Sequence, residues 1–202
     1  MSRFNAQDLA NSIWGVSVIG GFGLKFYRRL WERCLEMEYS EVERHGVLMM
    51  YQGYLLMEAV VPETAKTMPA PKWLNAEAKQ LWVEQAATGS RVSSFQTVFS
   101  QHLTEMGVPH RLELLTVDGM LAMDVGLDDH NIAFECDGPT HYCVNAGIGS
   151  VPLSRNNVRD TLLKARGWQV ISVPWDEWAA QVDKGEGKDW IRRSLANVGI
   201  DV

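Results

Sequence analysis

The run Ile132-Ala-Phe-Glu-Cys-Asp-Gly-Pro-Thr-His-Tyr142 sets ionisable side chains into an otherwise apolar stretch. Its first half reads as a strand, and strand alternation puts Glu135 and Asp137 on one side. Asp124, within Met123-Asp-Val-Gly126, sits on the strand-like run before it. Three carboxylates can therefore converge. Acids brought that close repel one another unless donors, a cation or a metal ion holds them. In the bland reading, Glu135 and Asp137 accept hydrogen bonds from loop amides and from Arg159 or Lys164. In the sharper one, the cluster holds a ligand. His141 divides the same way, between a side chain that braces the loop and a base. Cys136 falls inside the strand and reads as packing.

These residues lie in the second of two halves that differ in periodicity. Residues 1–92 read as helices. Asn5 caps a helix over 6–19, and Gly20-Gly21-Phe22-Gly23 ends it. A second helix over 24–37 places Phe26, Leu30, Trp31 and Leu35 on one face, with Arg28, Arg29 and Arg33 off it. Ser40 with Glu43 forms a capping-box pattern for a helix reaching Val60. Residues 62–71 hold three prolines and read as a connector, and Asn75 caps a helix that Gly89 stops.

Residues 93–202 change character. Ser93 or Ser94 caps a helix that Gly107-Val108-Pro109 stops. Strand-like runs follow over 111–117, 120–127 and 131–136, with the hairpin signal Asp118-Gly119 between the first two. Residues 137–151 read as a loop. A helix over 153–166 ends at Gly167, a strand over 168–173 stops at Pro174, and a helical tail breaks at Gly185 to Gly187. The order helix, three strands, helix, strand, helix fits a compact α/β layer.

Composition bounds the function. With 46% hydrophobic and 22% charged residues in 202, the chain is an ordinary globular protein. No stretch reaches the ~20 apolar residues of a membrane span, so no membrane partner is expected, and the N-terminus lacks a signal-peptide or transit-peptide pattern. Three cysteines, Cys34, Cys136 and Cys143, are too few and too scattered for a disulfide framework or a zinc site. Residues 1–92 carry 10 basic and 10 acidic side chains, residues 93–202 carry 9 and 15, so the net charge of −6 belongs to the second half. Such a balance disfavours nonspecific polynucleotide binding, and any phosphate contact must come from local basic clusters. Three exist: Arg28, Arg29 and Arg33; Arg155, Arg159, Lys164 and Arg166; and Lys188, Arg192 and Arg193. Trp168, Trp175 and Trp178 read as core or interface residues first, as base-stacking platforms second.

The run from Ile132 to Tyr142 resembles the signature of the RAP domain, an apolar strand followed by Glu-x-Asp-Gly-Pro-x-His-aromatic. The likeness continues through Arg159, Lys164, Gly167-Trp168-Gln-Val-Ile-Ser-Val-Pro174 and Asp176-Glu177-Trp178, and covers about residues 111–196. More weakly, Phe4 to Trp14 resembles the first helix of the octotricopeptide repeats, and of the related helical regions of FAST-kinase-type mitochondrial proteins, that precede RAP domains. The resemblance implies an α+β protein: N-terminal α-helical hairpin repeats over 1–92, then a restriction-endonuclease-like αβββαβ RAP domain over 93–202. On this reading the chain starts inside a repeat, as the C-terminal end of a longer protein or a short relative would.

That likeness further implies RNA binding in a mitochondrial matrix or chloroplast stroma, in RNA processing or stability or as an rRNA-binding component of an organelle ribosome. The partners would be organellar rRNA or mRNA and protein neighbours in a ribonucleoprotein, contacted through the three basic clusters. The RAP fold resembles PD-(D/E)XK nucleases of the Vsr-like group, whose acids hold Mg²⁺ beside a Lys. Here Asp137 occupies the Lys position, which argues against catalysis and against a cofactor. The rival reading is a Mg²⁺-dependent endonuclease with Asp124 and Glu135 as metal ligands, Asp137 beside them, His141 as base and Lys164 or Arg159 replacing the lysine. A third is a scaffold subunit that contacts mostly protein.

Overall fold

The computed structural model describes residues 4–89, 92–145, 149–152 and 154–202, and of 86–89, 143–145, 149–152 and 154–156 the backbone alone. The chain divides into two compact units, Met1–Thr88 and Gly89–Val202. No described helix is long and apolar enough to cross a membrane.

The first unit is helical: α1 (Ala6–Val18), α2 (Lys25–Leu35), α3 (Arg44–Val60), α4 (Pro62–Thr67) and α5 (Lys72–Gly89). Asn5 and Asp8 form a reciprocal capping box that opens α1. This satisfies two amide donors that a helix start leaves without partners. α3 lies close against α1 because Gly53 has no side chain. A Cβ there would stand 2.8 Å from Ser17 Oγ and 2.9 Å from Ile13 Cγ2. The Ser17 hydroxyl returns to the Ile13 carbonyl and meets the Tyr27 hydroxyl at 3.0 Å, which ties α1 to α2.

Four details of this half differ from expectation. The buried face of α2 is Tyr27, Leu30, Trp31 and Cys34, while Phe26 and Leu35 are exposed. Tyr27 and Cys34 complete the centre of the stripe, and Tyr27 packs between Phe22 and Trp31. α3 does not open at Ser40. Glu41 instead bonds back to the Glu38 amide around a 3₁₀ turn, and Val42 is extended and buried before the helix begins. The proline-rich connector contains α4, whose first residue is Pro62, a position where the missing N–H costs nothing. α5 begins at Lys72, ahead of Asn75.

The second unit runs α6 (Ser94–Glu105), β1 (Arg111–Leu115), β2 (Ala122–Leu127), β3 (Ile132–Asp137), β4 (Tyr142–Asn145), β5 (Gly149–Pro152), α7 (Ser154–Ala165), β6 (Gln169–Pro174), α8 (Trp175–Asp183) and α9 (Gly187–Ala196). The main sheet has the order β1-β2-β3-β6, antiparallel except for the parallel pair β3 and β6 joined across α7. The hairpin closes as the residues predicted: Gly119 adopts φ +70°, and Asp118 accepts from the Thr116 hydroxyl and the Met120 amide. The stretch expected to be a loop carries a separate β4–β5 hairpin. Short strands with no clear alternation left it illegible.

All six residues of β3 are buried. Phe99 and Phe134 meet at 5.0 Å between ring centres, Phe99 and Trp178 at 4.9 Å, and Trp178 and Trp190 at 5.8 Å, so Trp178 is a core residue. Each ring of this size contributes about 1.5–3 kcal/mol by leaving water. Gly126 faces Leu114 across the β1–β2 pair, and a Cβ there would stand 2.3 Å from Leu114 Cδ2 and 2.9 Å from its Cβ. We expect Gly126→Ala to destabilise the unit by about 1–3 kcal/mol. Urea unfolding of the full chain checks this, as a lower midpoint at unchanged slope.

Candidate functional site

β3 carries Glu135 and Asp137 into the interior, and α7 supplies the cation that meets them. Arg159 Nη1 stands 2.6 Å from Glu135 Oε2, and Nη2 stands 3.5 Å from Asp137 Oδ1 and 3.3 Å from Asp160 Oδ1. The Glu135 side chain is fully buried and that of Arg159 is 21% exposed. The 2.6 Å contact lacks hydrogen-bond directionality, so among the described residues the Glu135 carboxyl has no hydrogen-bond partner and meets Arg159 through charge. Asp137 is held more fully. The Ser172 hydroxyl of β6 donates to its Oδ2, and His141 Nδ1 stands 2.9 Å from its Oδ1.

Asp124 has other partners. Backbone pairing of β2 with β3 runs from Leu127 back to Val125, and at Asp124 the side chain takes over, accepting from the Cys136 amide at 2.7 Å. Its other oxygen accepts from Gln96 Nε2 at 2.8 Å, and the same nitrogen donates to Glu113 at 2.7 Å. Gln96 is oriented by the capping box of α6, in which its carbonyl oxygen accepts from the Ser93 amide. Glu113 adopts φ +49°, a left-handed conformation costing a non-glycine residue about 1–3 kcal/mol.

The electrostatics follow from burial. Burial drives the Glu135 carboxyl well above the ordinary carboxylate range, Arg159 pulls it back, and Asp124, Asp160 and Asp137 push it up again. One guanidinium cannot neutralise four acids. Asp124 is also raised, by burial first, against the pull of Arg159, the Cys136 amide and Gln96. Burial and the neighbouring carboxylates push the Cys136 thiol up, which makes it a poor nucleophile.

The structure thus brings Glu135, Asp137, His141 and Arg159 together, with Asp124 alongside on Gln96. Lys164 is exposed, and its charge is felt at Asp160; Arg159 is the cation at the acids. Arg159 and Arg166 do not extend into solvent as a phosphate-binding face would. Arg166 is drawn in against Asp118 at 2.9 Å. Burial works to raise Asp118, but the Thr116 hydroxyl, Arg166 and the Met120 amide outweigh it and hold Asp118 below its usual range. The side chains of Arg155 and Cys143 lie outside the described residues. Lys188 pairs with Glu105, Arg192 with Asp189 and Arg33 with Glu36, and Arg193 donates to Gln181. Arg28 and Arg29 are exposed on α2.

Gln96, Glu113, Asp160 and Ser172 escaped sequence reasoning. Gln96 had a signal, three residues after Ser93 in a capping pattern. Ser172 becomes a neighbour through the parallel register Glu135 to Ser172, which the sequence does not state. Among the described residues, no group of three or more His, Cys, Asp or Glu side chains is arranged to hold a metal ion. The Mg²⁺ expected in the nuclease reading does not fit these residues, because a divalent ion on Glu135 would meet the Arg159 guanidinium.

A mixed four-stranded sheet in the order αβββαβ, with a hairpin inserted before the second helix and an arginine locked among its acids, defines the class of this unit. Residues 134–193 match the RAP domain family model. A chloroplastic RAP domain-containing protein of Oryza sativa subsp. japonica is 25% identical over 197 residues, which is 96% of this chain and 30% of the relative. The C-terminal unit of the chain carries a RAP domain. The chain spans less than a third of that relative's length.

Two consequences are measurable. Removing the cation in Arg159→Met leaves buried carboxylates without compensation. We expect a loss of about 3 kcal/mol, the low end for a buried pair because part of the guanidinium meets water. Urea unfolding reads it, and adding Glu135→Gln should recover part of the loss. The raised Glu135 sets a pH dependence. The folded state keeps a proton that the unfolded state releases, so this contribution is full below the ordinary carboxylate range and falls as pH rises toward the folded titration. Glu135→Gln should remove that downward slope from a stability series across pH.

Proposed function

We propose that the chain is an organellar RNA-binding protein that holds its RNA without cutting it. The observation that carries this reading is the Arg159 guanidinium among Glu135, Asp137 and Asp160, where a hydrolytic centre would need open carboxylates. The RAP domain and the chloroplastic relative support action in an organelle, whether chloroplast stroma or mitochondrial matrix. The role is in RNA processing or stability, or as an rRNA-binding component of an organelle ribosome, within a ribonucleoprotein.

Phosphate contact falls first to Arg28 and Arg29 of α2, both exposed and, among the described residues, in no ion pair. Lys164 and Arg193 add to this, as do Arg33, Lys188 and Arg192 where their acidic neighbours release them. The helical unit offers a surface on which one strand of RNA is followed by polar side chains of successive helices.

The test is salt-dependent binding of single-stranded and structured organelle RNA by the full chain. Reversing both charges with Arg28→Glu and Arg29→Glu should weaken binding and flatten the salt dependence. Each lost phosphate contact removes about 0.7 from the slope on single strands, so the pair removes about 1.4. An unchanged slope would move the interface elsewhere. Cleavage of RNA with Mg²⁺ or Mn²⁺ that disappears in Asp124→Ala and Glu135→Ala would replace this reading with the endonuclease.

A further inference from the structure

The second unit contains a groove of about 830 Å³ whose lining meets the acid–arginine network at Asp124 and His141 and extends beyond it. Phe95 and Val98 of α6 form one apolar wall, and Trp175 of α8, 44% exposed, stands on another. Its polar end is Glu113 and Asp124, bridged by the Gln96 amide. Asp183 is the remaining acidic lining residue, His141 lines the groove with its Nδ1 against Asp137, and no Lys or Arg occurs among the described residues that line the groove. Apart from His141, which faces Asp137, the ionic side chains at this surface are carboxylates, in the half of the chain that carries the whole net charge of −6.

Charge complementarity selects the occupant. A phosphate would meet the carboxylates of Glu113 and Asp183 with no Lys or Arg in the described lining to offset them, so charge disfavours a nucleic-acid backbone in the groove. A cation is favoured, and the combination of a flat indole with carboxylates suits one cation above the other. Guanidinium is planar, stacks on an aromatic face and can bind a carboxylate through two parallel N–H donors, whereas an ammonium is a compact, strongly hydrated point charge. Gln96 takes one oxygen of Glu113, and the other accepts no hydrogen bond among the described residues.

We propose that this groove docks an arginine-bearing segment of a protein partner, with guanidinium stacked on Trp175 and bonded to Glu113. The proposal is independent of RNA contact by Arg28 and Arg29, which lie in the other unit. It gives the acidity of the RAP-bearing unit a use beside RNA binding, since proteins that assemble on RNA are themselves commonly rich in arginine.

The experiment uses the full chain with a fluorescent arginine homopeptide, and a lysine homopeptide of the same length as the control for charge. The arginine peptide should bind more tightly than the lysine peptide. Trp175→Ala and Glu113→Gln should each weaken it about tenfold. Asp189→Asn, an equal charge change on α9, should leave it unaffected, as should Arg28→Glu with Arg29→Glu. Glu113→Gly guards against a folding artefact. Glycine accepts the positive φ, so the variant should melt no lower than the parent and still lose the peptide. Absence of binding, equal binding of the two peptides, or equal loss in Asp189→Asn would overturn the proposal. So would loss of oligoribonucleotide affinity in Trp175→Ala, which would make the groove a site for RNA bases.

Discussion

The structure of the C-terminal unit depends on compensating charge in a strand that water does not reach. β3 lies between β2 and β6, and every one of its residues is buried, Glu135 and Asp137 included. Two acids in that position would each carry a desolvation cost of several kcal/mol if left ionised and alone. Arg159 offsets it by bringing a guanidinium from α7, and Ser172 brings a hydroxyl from β6. The helix and strand that follow β3 are thus held to it by polar contacts as well as by packing.

Where local chemistry decides, the fold was legible. Asn5 and Ser93 cap their helices, Asp118-Gly119 turns the hairpin, and Gly167 with φ +87° ends α7. Each signal needs only its own neighbours. The misreadings share the opposite property. Phe26 and Leu35 fit a helical stripe as well as Tyr27 and Cys34 do, and what separates the two sets is Tyr27 finding Ser17 on another helix. Ser40 with Glu43 and Glu38 with Glu41 are competing turns, and the burial of Val42 favours the second. The β4–β5 hairpin has no strong local signature at all.

The site divides along the same line. Alternation alone puts Glu135 and Asp137 on one side of a strand, and the need for a counter-charge narrows the candidates to Arg159 and Lys164. Choosing between those two requires the angular setting of α7. Residue 159 faces the sheet and residue 164 faces water. The same setting turns a basic helix, which a charge count presents as a phosphate-binding face, into a partly internal scaffold. Basic residues close in sequence to a buried acidic cluster are therefore poor evidence for nucleic-acid contact, whereas Arg28 and Arg29, far from it in sequence, are exposed on α2.

The groove and the closed acid network arise from one feature of the sheet. Antiparallel pairing of Leu112 with Val125 and of Leu114 with Met123 sets Glu113 opposite Asp124. Like charges directly opposite on adjacent strands destabilise a sheet. Here the conflict is met in two ways. Glu113 turns into a left-handed conformation, and Gln96 places one nitrogen between the two carboxylates. Asp124 meanwhile replaces the missing ladder bond to the Cys136 amide, so the two strands part without stranding a buried donor. Glu113 stands at the end of an open groove, while β3 keeps Glu135 and Asp137 around Arg159. An acidic protein can thus hold one set of carboxylates around an internal arginine and still leave Glu113 with an oxygen open to a cationic partner.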